Sequence, residues 1–227
     1  MSILYEIVVE NESPYDKVFY FFQQPADYIG GGEVYTNSIG KGVLSAKSAL
    51  LKLDQLVFSI EQQYYAGAQK QLKPPKVGEA EVGQLSQVDI DLTPNEGESN
   101  NSTKMNIDKD ALHLTKPIFA SGVQKGAFRI EVPEFNPAQR RYNIGLSSKD
   151  KNGKILLSNF IEAEPNTNTD VQPILKFYVN TGSYEPGTVV NFTNSSANAA
   201  ICDATDGTFK FKVTYNANGS WDVKKEI

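Results

Sequence analysis

The sequence predicts an all-β protein: an antiparallel two-sheet sandwich or a jelly-roll-like fold with little or no helix. The run Val18–Phe22 contains only apolar and aromatic residues, so a strand here would be buried on both faces at the centre of a layered fold. Segments of the second half alternate between apolar and polar residues, and turn signals separate them at spacings of about 8–12 residues, as in β-sandwiches. The pattern shows no strand–helix–strand alternation, which argues against a parallel α/β fold.

The chain opens with an alternating segment at 3–10, which predicts a first strand with one better-buried face. A turn follows at 11–16, and the aromatic strand then runs towards Pro25, which cannot donate a hydrogen bond to a neighbouring strand. We predict that these two strands form an antiparallel hairpin. The glycines at 30–32 predict a bend, and residues 33–36 predict a short strand.

Residues 49–65 fit two different structures. Spacings of three and four residues, as on one side of a helix, separate Leu50, Leu53, Val57, Ile60 and Tyr64. The alternating residues Leu56, Phe58 and Ile60 equally form one face of a strand. The β propensity of this segment and the strands around it favour a strand at 55–64. An amphipathic helix near 49–65 is the alternative.

A polar stretch at 94–106 contains the least apolar part of the chain, from Pro94 to Ser102. It follows a predicted strand at 84–92, and its composition is typical of a solvated loop. We predict a single β domain over 1–227, in which this loop joins two halves at about 1–93 and 107–227. The alternative is that the stretch is a linker between two domains.

The second half has the more regular pattern. Strands are predicted at 127–132, 141–146, 155–161, 174–179, 188–192, 208–215 and 220–223. Two Asn-Gly-containing turns, Asp150–Lys154 and Asn216–Gly219, predict tight hairpins, because these residue types adopt the positive φ angles that such turns require.

The charge and the hydropathy exclude several classes of function. The net charge is −5 and no lysine or arginine cluster interrupts it, which argues against nucleic acid and anionic membranes as partners. No run of eighteen apolar residues predicts a membrane span, and the N-terminal residues do not have the pattern of a signal peptide, so we expect a cytoplasmic protein. Cys202 is the only cysteine, which excludes an intrachain disulfide, and we expect it to be a small buried residue.

The residue types that support metal or cofactor chemistry are scarce. His113 is the only histidine, and zinc sites built from several imidazoles are therefore excluded. We expect no metal and no cofactor, and we expect His113 to lie on the surface of a strand. The segment Gly40–Gly42 resembles part of a phosphate-binding loop but lacks its Ser or Thr. Glu61 and Glu131 lie on predicted strands between apolar residues, where catalytic carboxylates and solvent-facing ones both occur.

Aromatic residues beside turns are the one positive functional signal. Flat rings with polar tips suit stacking on sugars or apolar ligands, and nearby amides and carboxylates bind hydroxyl groups. The candidate ligand-binding residues are Tyr28, Tyr64, Tyr65, Tyr184, Trp221 and Asn218. The alternative for each ring is that it caps the end of a β core.

These observations favour a non-catalytic, lectin-like binding module, with a carbohydrate or another small molecule as its ligand. Loops held on a rigid β scaffold commonly carry binding. One alternative is a hydrolase or isomerase that acts through carboxylates and tyrosines in a β-lined cavity. Another is a structural or self-assembling β protein, whose exposed strand edges would pair between subunits, and a homo-oligomer is therefore left open.

Overall fold

The computed structural model describes residues 4–47, 54–108, 111–150 and 152–226. Its strands, in chain order, are β1 (Leu4–Asn11), β2 (Lys17–Gln23), β3 (Asp27–Ile29), β4 (Tyr35–Leu44), β5 (Gln55–Glu61), β6 (Tyr65–Gln71), β7 (Leu85–Asp89), β8 (Ser102–Asp108), β9 (Ala111–Leu114), β10 (Phe128–Glu131), β11 (Arg141–Lys149), β12 (Ile155–Glu162), β13 (Asn168–Gln172), β14 (Lys176–Thr181), β15 (Val189–Val190), β16 (Ala200–Asp203), β17 (Lys210–Tyr215) and β18 (Trp221–Glu226). A short helix, α1 (Phe192–Ser196), lies between β15 and β16. The described residues are 52% strand and 2% helix, which confirms the all-β prediction.

The strands of the described residues form three sheets that pack together as a β-sandwich. A nine-stranded sheet has the order β16-β14-β2-β4-β12-β11-β6-β7, with β15 also paired to β4. A four-stranded sheet, β18-β17-β1-β5, and a five-stranded sheet, β3-β13-β10-β8-β9, pack against it. Most pairings are antiparallel, as predicted, and the parallel ones are β1 with β17 and β8 with β10.

The aromatic strand β2 lies inside the large sheet, between β14 and β4. Its side chains alternate between two buried clusters, as the absence of a polar face predicts. Phe19 and Phe21 contribute to the core shared with the four-stranded sheet, and Phe21 stacks on Phe58 with ring centroids 5.3 Å apart. Tyr20 and Phe22 point into a separate aromatic cluster near α1.

The predicted hairpin between the first two strands is wrong. β1 pairs with β17 and β5 in the four-stranded sheet, whereas β2 belongs to the large sheet. Between β1 and β2 the chain passes from the four-stranded sheet to the large sheet. Hydrogen bonds at the end of β1 stabilise the turn that makes this connection. Asn11 Nδ2 donates to the carbonyl of Tyr15 over 2.8 Å and to that of Ser45 over 3.0 Å. These bonds hold the connecting turn against the segment after β4, so the chain crosses between sheets.

The strand interpretation of residues 55–64 is confirmed over β5, and a turn separates this strand from β6. Burial follows a period of two, because Phe58 is 5% exposed whereas its neighbour Val57 is 38% exposed. The helical alternative is wrong for this part of the segment. Leu50 and Leu53, on which that alternative also relied, lie outside the described residues.

The predicted short strand at 33–36 is the start of the ten-residue strand β4, which runs through Gly40 and Gly42. A Cβ atom at Gly42 would lie 2.4 Å from the Leu56 side chain. These glycines therefore permit close packing of β5 on β4 and do not form a phosphate-binding loop.

The polar stretch predicted as a loop at 94–106 contains the first residues of β8. Ser102 and Thr103 are buried there, and the Thr103 hydroxyl donates to the carbonyl of Thr115 over 2.7 Å. Internal hydrogen bonds let polar side chains occupy a buried strand, which a composition-based prediction misses. The division of the chain into one or two domains stays a prediction.

Most strands predicted in the second half are present, and β11–β12 and β17–β18 are the predicted hairpins. Lys151, in the first of these turns, lies outside the described residues. The strand predicted at 188–192 is shorter, because Asn191 caps α1 by accepting a hydrogen bond from the Asn194 amide. Strands β3, β6, β13 and β16 were not predicted; they are short or rich in polar and small residues, which have low β propensity.

Candidate ligand-binding cleft

A surface cleft of about 380 Å³ opens where β11 begins and β12 ends. Its lining combines aromatic, acidic and basic side chains. The lining residues are Gly32, Glu33, Tyr35, Pro137, Arg141, Tyr142, Glu162, Ala163, Glu164 and Pro165. We call this cavity the acidic cleft, because three of its residues are glutamates. Strand register creates it, since β6, β11 and β12 run side by side in the large sheet.

The Tyr35 ring is the aromatic part of the acidic cleft. The Tyr35 ring stacks on Phe160 with centroids 5.4 Å apart, and its hydroxyl donates to Glu33 over 3.0 Å. Burial raises the pKa of Tyr35 to about 12, with Glu33 and nearby glutamates adding to the effect, so the hydroxyl stays a neutral donor. Tyr142 also borders the cleft, but its side chain is only 2% exposed and its ring packs edge-on against Phe135 in the core.

Arg141 and Glu162 are charged residues in the wall of the acidic cleft, by which we mean the part formed by β11 and β12. The Arg141 Nη1 atom lies 3.8 Å from Glu162 Oε1. Their side chains are 55% and 41% exposed, which leaves both within reach of a ligand. Gln71 Nε2 donates to the same Glu162 oxygen over 2.7 Å and fixes the carboxylate on the wall.

A polar network continues behind the wall. Gln71 Nε2 also lies 3.3 Å from Asn143 Oδ1, and Asn143 Nδ2 donates to Glu81 Oε2 over 3.1 Å. The other Glu81 oxygen is buried and has no hydrogen-bond partner among the described residues. Burial raises the pKa of Glu81; Asn143 and Lys73 oppose this shift, and Glu162 adds to it. Glu81 is not one of the cleft-lining residues, so it supports the wall from behind.

Backbone hydrogen bonds hold Glu81 in this position. Its amide donates to the Gly187 carbonyl over 2.9 Å, and the amide of Lys70 on β6 donates to the Gln84 carbonyl over 2.8 Å. Between these two anchors, Gly83 approaches β6 so closely that a Cβ atom there would lie 1.9 Å from the Lys70 carbonyl oxygen. Glycine is therefore required for this segment to lie on the sheet.

A second cavity of about 390 Å³ adjoins the acidic cleft, and the two share Pro137 and Arg141. It is lined by Lys70, Gln71, Leu72, Lys73, Pro74, Pro137, Ala138, Gln139, Arg140 and Arg141. We call it the basic cleft, because four of these residues are basic and none is acidic. Asn136 shapes the shared loop: its carbonyl accepts from the amides of Gln139 and Arg140, and its side chain accepts from the amide of Ala138.

The structure does not bring the six predicted ligand-binding residues together. The Tyr28 hydroxyl lies 2.7 Å from the Asn159 carbonyl oxygen and accepts from the Leu146 amide over 3.2 Å, and burial raises its pKa. Tyr64 packs against the core beneath the five-stranded sheet, as does Tyr28. Tyr65 is buried in β6. These rings have the core-capping position that was the alternative.

The other three predicted residues lie in different places. Tyr184 packs on Tyr20, with centroids 4.8 Å apart, in the aromatic cluster near α1. Trp221 packs at the edge of the core of the four-stranded sheet and donates from Nε1 to the Asn198 carbonyl. Asn218 is exposed, and its side chain caps the β17–β18 turn by accepting from Ser220. A binding role for the six stays a prediction.

The two carboxylates singled out from the sequence have internal partners. Glu61 accepts a hydrogen bond from Tyr65 and lies 3.6 Å from Lys149 Nζ. Burial and Glu61 raise the pKa of Tyr65, which makes this hydroxyl a poor nucleophile, and the adjacent cavity measures only about 20 Å³. Glu131 lies 3.1 Å from Lys104 Nζ.

Cys202 and His113 have the structural roles that the sequence predicts. Burial raises the pKa of the Cys202 thiol to about 12, so it is a buried, unreactive side chain. His113 is exposed on β9, and its Nε2 lies 3.2 Å from Asn106 Nδ2.

The cleft residues themselves were not predicted. Arg141 is the first residue of β11 and Glu162 the last of β12. A charged residue at a strand end is common on any β protein, so the only available signal was weak. Among the described ranges, no three His, Cys, Asp or Glu side chains are placed to hold a metal ion. Within the same ranges, the structure contains no helix with the length and apolar character to span a bilayer.

No protein-family model, curated protein or solved structure matches this chain. The geometry of the acidic and basic clefts is therefore the basis for a functional assignment.

Proposed function

We propose that this protein is a non-catalytic, lectin-like binding module that holds a carbohydrate in the acidic cleft. The observation that carries the proposal is the convergence of the Tyr35 ring, the Glu33 and Glu162 carboxylates and the Arg141 guanidinium in one cavity of about 380 Å³. A cavity of this size lies within the range of roughly 300–1,000 Å³ typical of small-molecule sites.

The chemistry of the lining suits a polyhydroxylated ligand. A sugar hydroxyl both donates and accepts, carboxylates act as acceptors, and a guanidinium supplies several donors. A tyrosine ring offers an apolar surface for the C–H face of a sugar and keeps a polar tip. The Arg141–Glu162 separation of 3.8 Å is longer than a hydrogen bond, so a ligand hydroxyl can contact both side chains.

Other residues of the protein already hold side chains of the acidic cleft in fixed positions. Tyr35 rests on Phe160, and Gln71 fixes the Glu162 carboxylate. Side chains that already hold their bound geometry lose little conformational entropy on binding, which favours affinity.

A hydrolase is the alternative function, and the raised pKa of Glu81 is the observation that favours it. Glu81 connects to Glu162 through Asn143 and Gln71, and two carboxyl groups with different environments are typical of general acid–base catalysis. We favour binding because Glu81 lies behind the wall, where its carboxyl group does not line the cleft.

The structural or self-assembling alternative has less support. At the outer edge of the four-stranded sheet, β18 carries Asp222, Lys224, Lys225 and Glu226. Charged residues on an edge strand disfavour pairing with another chain. The cytoplasmic location and the oligomeric state stay predictions.

The test is a glycan array followed by calorimetry on the best ligand, with wild type, Arg141→Ala and Glu162→Gln. We expect each variant to lose about tenfold or more in affinity, because a charged hydrogen-bonding partner is removed. Glu226→Gln is the matched control: its side chain is 38% exposed, against 41% for Glu162, but it lies on β18.

Three outcomes separate the candidates. Binding that Glu162→Gln and Arg141→Ala reduce, without cleavage of the glycan, supports the module. Cleavage by the wild type that Glu162→Gln abolishes supports the hydrolase. An array without a bound glycan, or binding that neither variant alters, overturns the assignment to the acidic cleft.

A further inference from the structure

We propose that the basic cleft binds one anionic group of the ligand, so that the ligand class is an acidic saccharide carrying a carboxylate or a sulfate ester. This inference rests on the proposed function of the acidic cleft. It assigns the chemistry and the orientation of the bound sugar, which the acidic cleft alone does not determine.

The charge of the basic cleft contrasts with that of the chain. Acidic residues outnumber basic ones by 27 to 22 in the sequence, yet the basic cleft has four basic residues and no acidic one in its lining. Positive charges that line a concave surface concentrate the field and attract a negatively charged group. Gln139 adds an amide donor to the same lining, whereas the Gln71 amide already donates to Glu162 and Asn143.

Lys73 is held in place by an ion pair with Glu79, which also lies 2.7 Å from Lys76 Nζ. The two lysines lower the pKa of Glu79 to about 2, so this carboxylate is ionised and the trio carries one net positive charge. Lys70, on β6, has neither an ion pair nor a side-chain hydrogen bond to another described residue. Lys70 therefore leaves a positive charge to be neutralised by a ligand, and the Lys73–Glu79–Lys76 trio adds one net positive charge beside it.

Arg141 lies at the boundary, because it lines both cavities. Its guanidinium contacts Glu162 through Nη1 and has further N–H donors in its planar fork, which suits a carboxylate or a sulfate oxygen. A saccharide that spans the two cavities would place neutral hydroxyls in the acidic cleft and its anionic group on the other side of Arg141.

The acidic cleft limits the number of charges on the ligand. Glu33, Glu162 and Glu164 would repel a second anionic group placed among them. A densely charged polyanion is therefore disfavoured, in agreement with the net charge of −5. The combination fits a saccharide with one terminal anionic group next to neutral sugar units.

The experiment compares three saccharides with the same core: one neutral, one ending in a uronic acid, and one carrying a single sulfate ester. Calorimetry is carried out with wild type and with Lys70→Gln/Lys73→Gln. We expect the wild type to bind at least one acidic saccharide about tenfold tighter than the neutral one. The double variant should bind that acidic saccharide as weakly as the neutral one, whose own affinity should not change.

Lys210→Gln/Lys224→Gln is the matched control, because it removes the same charge from the four-stranded sheet. It should retain the preference for the acidic saccharide. Added salt should weaken acidic binding more than neutral binding, since exposed charge interactions are screened. The uronic acid and sulfate arms identify which anionic group is recognised.

Equal affinity of the wild type for all three saccharides would overturn this inference and leave the proposed function intact, provided that Glu162→Gln still weakens binding. The inference also fails if the preference for acidic sugars survives in Lys70→Gln/Lys73→Gln. If none of the three saccharides binds, both the inference and the proposed function are overturned.

Discussion

Asn143 Nδ2 donates a hydrogen bond to Glu81 Oε2 over 3.1 Å, and the second oxygen of that carboxyl group is buried with no partner among the described residues. A buried carboxylate that is only partly satisfied favours its protonated form, because the neutral group is less costly to bury. The charged groups around it are Lys73, which favours ionisation, and Glu162 and Glu79, which oppose it.

We expect Glu81 to make the protein less stable as the pH rises. Its pKa is higher in the folded state than the ordinary value of 4.5, so the folded protein binds more protons in this range than the unfolded chain. Stability therefore falls as the pH rises from that ordinary value through the raised, folded-state pKa. Thermal unfolding of wild type and Glu81→Gln across this range measures the effect.

The difference in Tm between Glu81→Gln and wild type should grow in favour of the variant as the pH rises. Glu164→Gln, an exposed glutamate of the acidic cleft, is the control and should leave the shape of the wild-type pH profile unchanged. A constant difference between Glu81→Gln and wild type at every pH would contradict the raised pKa.

Gly83 should tolerate alanine less well than Gly78. Both have positive φ angles, +152° and +85°, but a Cβ atom at Gly78 meets nothing within 4 Å, whereas one at Gly83 would clash with the Lys70 backbone. We expect Gly78→Ala to cost about 1–2 kcal/mol for its left-handed conformation. The clash should make Gly83→Ala about 1–3 kcal/mol more costly. Chemical denaturation of both variants tests this, and equal costs would count against the close approach.

The Arg129–Asp170 ion pair should be sensitive to a change from arginine to lysine. Nε and Nη2 of Arg129 lie 2.6 and 3.0 Å from the two carboxylate oxygens, and the two side chains are only 18% and 9% exposed. Lysine cannot make both parallel bonds, so we expect Arg129→Lys to cost about 1.5–3 kcal/mol. Urea unfolding provides the measurement.

Lys210→Gln is the control for this pair, because Lys210 and Glu226 form a half-exposed pair at 3.2 Å. Loss of the Lys210–Glu226 pair should lower the free energy of unfolding by less than about 1 kcal/mol, as is usual for surface ion pairs. The prediction for Arg129→Lys is wrong if both substitutions cost the same.

Replacing Phe21 should lower the free energy of unfolding more than replacing most other core residues. Phe21 is buried in β2 and stacks on Phe58 across the two layers. We expect Phe21→Ala to cost about 3–5 kcal/mol in the free energy of unfolding. Ile118→Ala, at an exposed loop residue, should stay within about 0.5 kcal/mol. If Phe21→Ala does not fold, Phe21→Leu should still be measurably less stable than Ile118→Ala.

The sequence by itself determined the class of the fold and most of its strands. The run through β2 has no polar face, and the Asn-Gly turns specify hairpins locally, so both were predicted from neighbouring residues. Burial in β5 follows the period of two that Phe58 and Ile60 predict. These features depend on side-chain direction and turn geometry, which a few consecutive residues decide.

Tertiary structure decided which strands are neighbours. The parallel pairing of β1 with β17 joins segments about two hundred positions apart in the chain, and nothing in either segment specifies that partner. The failure of the predicted β1–β2 hairpin has the same cause. A hydrophobic face can be buried against any complementary layer, so the choice of layer depends on the whole fold.

Tertiary structure also decided the candidate site. Tyr35, Arg141 and Glu162 come from three separate segments, and each has the pattern of an ordinary strand-end residue. They form a site because strand register places Arg141 opposite Gln71 and Asn143 opposite Glu162. Register is set by pairing across the whole sheet, and a shift of one residue would turn these side chains to the other face.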